Sequence, residues 1–151
     1  MTPIGSVEIG TVGELYVFTE LLRLGATVYT PVADVVGIDA IVRSKNGKLR
    51  EVQVKTHSTE YMAGWFDVPN LDIHELASFV VVGIDMRTYP PSEVWVIPGD
   101  VFVEYSTMPS SKPGSTVHRL DLDARSRKHK NELRRDLLAP QYLNAWRLLT
   151  D

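Results

Sequence analysis

The sequence predicts a mixed α/β domain, a central mixed sheet flanked by helices, and three observations carry that prediction. Residues from about Gly10 to Leu24 place Val12, Leu15, Phe18 and Leu22 at helical spacing. Two strand runs, Ile38 to Arg43 with apolar Ala40-Ile41-Val42 and the alternating Leu49 to Thr56, are joined by Lys45-Asn46-Gly47-Lys48. Asn-Gly is the strongest short hairpin signal. Phe79 to Ile84 is an unbroken apolar run of strand length, as expected for a strand covered on both sides. Helix, strand, hairpin, then strands with covering helices make a layered arrangement in one domain.

Each element follows from local signals. Gly25 stops the first helix. Thr27 to Thr30 is a short strand ended by Pro31, and 34–37 is a loop. The segment from His57 to Asn70 reads as loop with an extended piece at Trp65-Phe66-Asp67-Val68, and Leu71 to Ala77 as a short helix. Glu93 to Ile97 alternates as a strand, and Pro98-Gly99-Asp100 opens a short helix through Tyr105. Residues 107–115, rich in Pro, Ser, Lys and Gly, form a loop. Val117 to Leu122 reads as an edge strand. Asn131 to Leu138 and Gln141 to Leu149 read as one helix interrupted at Pro140. Trp146, Leu148 and Leu149 give that helix an apolar face in need of a partner.

At 151 residues the chain suits one domain with a real core. Cysteine is absent, which excludes disulfides and thiolate metal sites and agrees with a cytoplasmic location. The first residues have neither a basic start nor an apolar core, so no signal peptide is expected. No apolar run reaches membrane-spanning length. The net charge of -3 is distributed unevenly. Between Lys112 and Arg135 lie eight Lys or Arg and three Asp or Glu, a local +5, which leaves -8 for the remainder. Arg125, Arg127, Lys128, Lys130, Arg134 and Arg135 are the candidate contacts to a phosphate backbone.

The chemistry concentrates in Gly37-Ile38-Asp39 and Glu51-Val52-Gln53-Val54-Lys55. On a strand, Glu51, Gln53 and Lys55 project from one face, and Val52 and Val54 from the other. Phosphodiester hydrolysis requires charge withdrawal from the phosphate, an activated water and help for the leaving oxygen. Magnesium prefers oxygen ligands and keeps several waters, so one or two carboxylates suffice. Asp39 at a strand start is the central ligand, the Gln53 carbonyl a weaker one, and the Val54 backbone carbonyl a further one. Lys55 orients or deprotonates the water, and Glu14 on the first helix reaches the metal directly or through water. Taken singly, Asp39 also suits a turn, Glu14 a solvated helix, and Lys55 a solvated strand.

Gly10-Thr11-Val12-Gly13-Glu14, Gly37-Ile38-Asp39 and Val52-Gln53-Val54-Lys55-Thr56 together resemble the PD-(D/E)xK nuclease superfamily. Within it, they are most similar to the small branch of group I intron homing endonucleases and Holliday-junction resolvases. The resemblance covers residues 8 to 100. It implies a restriction-endonuclease-like αβββαβ core, here about 8–105, followed by a basic extension over 112–151. It implies a magnesium- or manganese-dependent DNA endonuclease, with Glu14 as the helix-borne acid, Asp39 as the metal-binding acid, Gln53 in the second acidic position and Lys55 as the lysine. The family pattern has Asp or Glu where this chain has Gln53. An amide offers a dipole where a carboxylate offers a charge, although the homing-endonuclease branch is similar in carrying Gln there.

Two other readings stand beside it. One is a catalytically inactive module of the same fold that binds DNA or a protein partner. The other is an interaction domain whose basic tail engages an acidic partner. For an endonuclease, two copies of one small site favour a symmetric homodimer. Glu51 reads as structural, pairing with Lys48 or Arg43 across the hairpin. His57, His74, His118 and His129 lack metal-ligand spacing, and His57 reads as a surface residue. Trp65, Phe66 and Trp95 read as core or interface residues.

Overall fold

Helix α1 spans Ser6–Arg23, with Gly13, Val17 and Leu21 buried at four-residue intervals along its inner face. It begins four residues earlier than expected, on an Ile9 N–H to Gly5 carbonyl bond of 3.0 Å. It ends as Ala26 N–H bonds Leu21 O and Gly25 N–H bonds Leu22 O, with Gly25 at φ +92°. This Schellman closure requires the left-handed conformation that glycine adopts freely. The computed structural model describes residues 4–59, 64–109 and 112–151. Parts of two expected loops, 60–63 and 110–111, lie outside the described residues, as do residues 1–3.

Strands β1 (Thr27–Tyr29), β2 (Ala40–Arg43), β3 (Leu49–His57), β5 (Phe79–Asp85) and β6 (Glu93–Pro98) form the central sheet in the order β1-β2-β3-β5-β6. Only the β3–β5 pair is parallel, so the sheet is mixed. Between β3 and β5 the chain forms β4 (Trp65–Val68), which pairs antiparallel with β7 (His118–Asp121) in a second, two-stranded sheet. Helix α2 is Gly99–Tyr105, and β8 (Arg125–Ser126) pairs with β9 (Glu132–Leu133). Helices α3 (Arg134–Tyr142) and α4 (Arg147–Thr150) follow.

The period-2 geometry of β3 and β5 splits the apolar residues into two cores, one on each sheet face. Val52, Val54, Val80, Val82 and Ile84 pack under α1 with Val17, Leu21 and Leu149. Phe79, Val81, Trp95 and Ile97 face Phe66, Val68, Phe102, Leu120 and Leu138. The apolar run of β5 is therefore buried on both sides, as its composition required. Phe66 and Trp95 are core residues. Residues beyond 112 supply Leu120, Leu122, Leu138, Ala145 and Leu149 to these two cores.

Two expected elements take another form. The helix over Leu71 to Ala77 is a single 3-10 turn, Leu71–Ile73, because His74 adopts extended backbone and its ring stacks on Phe79 at 4.3 Å. The edge strand expected over Val117 to Leu122 forms as β7, paired with β4 in the two-stranded sheet. Helix α3 runs through Pro140 to Tyr142. The chain breaks two residues later, where Leu143 bridges to Trp95 and Asn144, at φ +51°, accepts the Val94 N–H at 3.3 Å. The basic run is a small hairpin, with Asn131 and Lys130 at positive φ forming its turn. The apolar face of the last helix finds its partner within the chain, since Trp146, Leu148 and Leu149 pack on the α1-side core. Among the described residues no helix is long and apolar enough to cross a membrane.

Candidate functional site

Asp39 lies at the mouth of β2, released from a tight turn in which Ile38 N–H bonds Val35 O at 3.1 Å. Gly37 holds that turn at φ +71°, a conformation that side chains with Cβ seldom adopt. The Asp39 N–H donates to Val52 O at 2.9 Å, and its Oδ2 accepts the Val54 N–H at 2.7 Å. The carboxylate is thus fixed against the backbone of the strand that carries Gln53 and Lys55. Burial raises the pKa of Asp39, opposed by the Val54 hydrogen bond and by Lys55, while Asp34 adds to the rise. Burial also raises Glu14, the charge of Asp39 raises it further, and Lys55 counteracts. Glu14, Asp39 and Lys55 are therefore electrostatic neighbours brought together from α1, the β2 entrance and β3.

The approach of α1 to β3 explains how Glu14 gets there. A Cβ on Gly13 would lie 2.2 Å from Thr56 Oγ1 and 2.8 Å from Ile84 Cδ1, so only glycine permits this closeness. Glu14, Val32, Ala33, Asp34, Val35 and Asp39 line a cleft of about 200 Å³. Asp34 was missed by sequence reasoning because only the Val35–Ile38 turn folds it back toward Asp39.

Gln53 continues the β2–β3 register opposite Asp39. It is 6% exposed, and its Oε1 has no hydrogen-bond partner. An unsatisfied buried acceptor costs on the order of 1–3 kcal/mol, which a cation ligated by that oxygen would recover. Glu14 and Asp39 line one cleft, and their carboxylates and the Gln53 amide oxygen are donors of the hard type that a magnesium-type ion prefers. Among the described residues no group of three or more His, Asp or Glu is placed to hold a metal. Any ion here must therefore draw on the amide and on water.

The same face of β3 also makes contacts beyond this cleft. Glu51 lies 3.4 Å from His74 Nδ1, and this replaces the expected pairing with Lys48 or Arg43. Lys55, His57, Trp65, Phe66 and Asp67 line a second cleft of about 200 Å³. His57 is half-buried against the Phe66 ring at 4.8 Å, with Nε2 enclosed and unpartnered, so it is not the surface residue expected. The Phe66 ring against it comes from β4, a contact that no local sequence pattern announces.

His57 and Asp85 make stability depend on pH. Burial holds the His57 pKa below 6.5, so the folded state binds fewer protons than the unfolded chain as pH drops through that value. Arg87 Nε lies 2.9 Å from each Asp85 oxygen, and these bonds hold that carboxyl below its ordinary value. Its contribution is present above the ordinary carboxylate range and is lost as pH falls through the folded value. Glu14 and Asp39, both raised, act oppositely: their protonation favours the folded state as pH falls toward the carboxylate range. Thermal melts should therefore show stability declining from about pH 6.5 downward. His57→Gln should remove this first decline. An unchanged profile in that variant would refute the assignment.

The candidate backbone contacts divide into two groups. Arg125, Arg127, Lys128 and Arg134 line a cleft of about 320 Å³ beside Tyr105 and Ser126. Arg125 Nη1 donates to Asn131 O at 2.9 Å, and Arg134 Nε is buried without a partner. Lys130 is exposed at the hairpin turn. His129 stacks on Tyr105 at 4.5 Å and lies 2.8 Å from Ser126 Oγ, which stiffens the hairpin. Arg135 is engaged by protein: it donates to Glu93 at 2.6 Å and Asp123 at 2.9 Å and lies over the Trp95 ring at 5.6 Å.

No family model matches the chain, and no curated protein matches it. Among solved structures the chain is similar to a bacterial homing endonuclease, I-Ssp6803I. The two are 24% identical, with a TM-score of 0.56, over 95% of this chain and 90% of that one. At that identity the likeness shows the fold: a nuclease-like mixed sheet flanked by helices.

Proposed function

We propose that this chain is a divalent-metal-dependent DNA endonuclease of the PD-(D/E)xK type. One observation carries the reading: a carboxylate pinned to the β3 backbone at 2.7 Å, with Glu14 and Lys55 as its charged neighbours and the orphaned Gln53 Oε1 across the register. The likeness in fold to a homing endonuclease supports it. Asp39, Glu14 and Gln53 would hold magnesium or manganese, which when bound draws charge from the scissile phosphate. The Lys55 ammonium orients the attacking water and offsets charge developing on the phosphate. Arg125, Arg127, Lys128, Lys130 and Arg134 contact the DNA backbone, and Arg135 braces the hairpin that presents them. Residues 1–151 act as one nuclease-like unit, and two copies, each cutting one strand, act as a homodimer. In this scheme the enzyme works in the cytoplasm, in agreement with a chain free of cysteine. The test is cleavage of supercoiled plasmid, junction and single-stranded substrates with either metal.

Gln53 favours a second reading, an inactive nuclease-fold module that binds DNA or a protein partner. Calorimetry separates the two. The endonuclease should show a saturable manganese site that Asp39→Asn removes; a module should show none.

A further inference from the structure

We propose that the tip of the β2–β3 hairpin and α4 form a second surface for the phosphodiester backbone of duplex DNA, remote from the acid cleft. The inference rests on the DNA-cleaving reading above. Its evidence is independent of the basic hairpin at 125–133.

Residues 43–50 hold Arg43, Lys45, Lys48 and Arg50 with no acid among them. Folding adds a fifth cation from the far end of the chain. Lys48, Arg50 and Arg147 converge on a cleft of about 250 Å³ whose polar lining includes Ser44, Asn46 and Asp151. Asp151 already lies 3.5 Å from Lys45. Among the described residues Lys48, Arg50 and Arg147 make no ion pair. Arg50 Nη1 and Arg147 Nη2 donate only to main-chain carbonyls, of Leu49 at 3.1 Å and Gln141 at 3.5 Å. Asp151, paired with Lys45, offsets one charge of the set; the like charges in excess of it repel, and a bound anion relieves that repulsion.

The frame beneath them is well braced. Ser44 N–H bonds Lys48 O, and Gly47 N–H bonds Ser44 O, both at 2.9 Å. Ser44 Oγ donates to Asn46 Oδ1 at 2.6 Å, and Lys45 N–H bonds Thr150 O at 3.0 Å, tying the hairpin to α4. The spread of the charges favours a chain of phosphates over one small anion. Arg50 precedes Lys55 by five residues, about 17 Å along an extended strand. An odd separation sets the two side chains on opposite faces of β3, so the duplex reaches this cluster with its own stretch of backbone, apart from the one at the acid cleft.

The test uses the full chain, a short fluorescent duplex and a chelator to prevent cleavage, with salt varied between about 50 and 200 mM. The triple variant Lys48→Gln, Arg50→Gln, Arg147→Gln should flatten the log Kd against log salt slope by two to three units, at about 0.9 per phosphate lost. Arg23→Gln, an exposed side chain at the end of α1 paired with Glu20 at 3.2 Å, should leave it unchanged. Far-ultraviolet dichroism checks that the triple variant folds. An active wild type whose slope survives the triple substitution overturns this surface and leaves the endonuclease reading intact. A wild type that neither binds nor cuts duplex overturns both. Loss of inorganic phosphate binding with an unchanged duplex slope would assign the cleft to a free anion and overturn the DNA surface.

Discussion

Asp39→Asn should abolish plasmid cleavage, and Lys55→Ala should reduce it steeply, while the fold stands. Asparagine at 39 keeps an oxygen for the Val54 N–H, which now lies 2.7 Å from the carboxylate, and removes only the charge. That charge is held in a desolvated place, as the raised pKa shows, so its removal should leave the melting temperature of the metal-free protein unchanged or higher. Manganese should raise the wild-type melting temperature by mass action and leave the variant unmoved. Lys55→Ala should cost about 100- to 10,000-fold in rate, the usual worth of a positioned proton-transfer group. Lys55 counters the raised pKa of both acids, so its loss should also shift their ionisation upward and weaken manganese binding at mildly acidic pH. Cleavage rates and thermal melts read the two effects separately. Wild-type activity in both variants would end the catalytic assignment.

Much of this frame was legible because short-range rules dominate where it forms. Asn46-Gly47 set the hairpin, and Gly47 sits at φ +88° as such a turn demands. Alternation along β3 placed Gln53 and Lys55 on one face, and the apolar run of β5 announced burial on both sides. What escaped depends on contacts between distant residues. The partner of Glu51 is His74, reached across a connection of more than 20 residues, and no periodicity encodes that. The break expected at Pro140 came at Asn144, because bridging to β6 by Leu143 outweighs one missing helical hydrogen bond. Arg135 looked like its basic neighbours in sequence, and only folding placed Glu93 and Asp123 around it. Arg147 illustrates the converse: isolated near the C-terminus, it joins the hairpin cations only in three dimensions.

Gly13→Ala should destabilise the protein by about 1–3 kcal/mol and lower cleavage beyond what instability explains. Helix propensity alone predicts the opposite sign, since alanine exceeds glycine by about 1 kcal/mol in a helix interior. The contact decides the outcome. A methyl at 13 would meet Thr56 Oγ1 at 2.2 Å and Thr56 Cβ at 3.2 Å, and β3 is braced on both sides by neighbouring strands. The helix must yield instead, and Glu14, the next residue, moves away from Asp39 and Lys55. Gly10→Ala is the internal control: it lies in the same helix with nothing within 4 Å of an added Cβ. It should be neutral or stabilise by up to about 1 kcal/mol. Adding Thr56→Ala to Gly13→Ala removes the closest atom and should recover part of both losses, giving a non-additive cycle. Denaturant unfolding and plasmid cleavage on the wild type, Gly10→Ala, Gly13→Ala, Thr56→Ala and the double variant measure this. If Gly13→Ala proves as benign as Gly10→Ala, α1 does not depend on this close approach, and the placement of Glu14 in the site loses its structural basis.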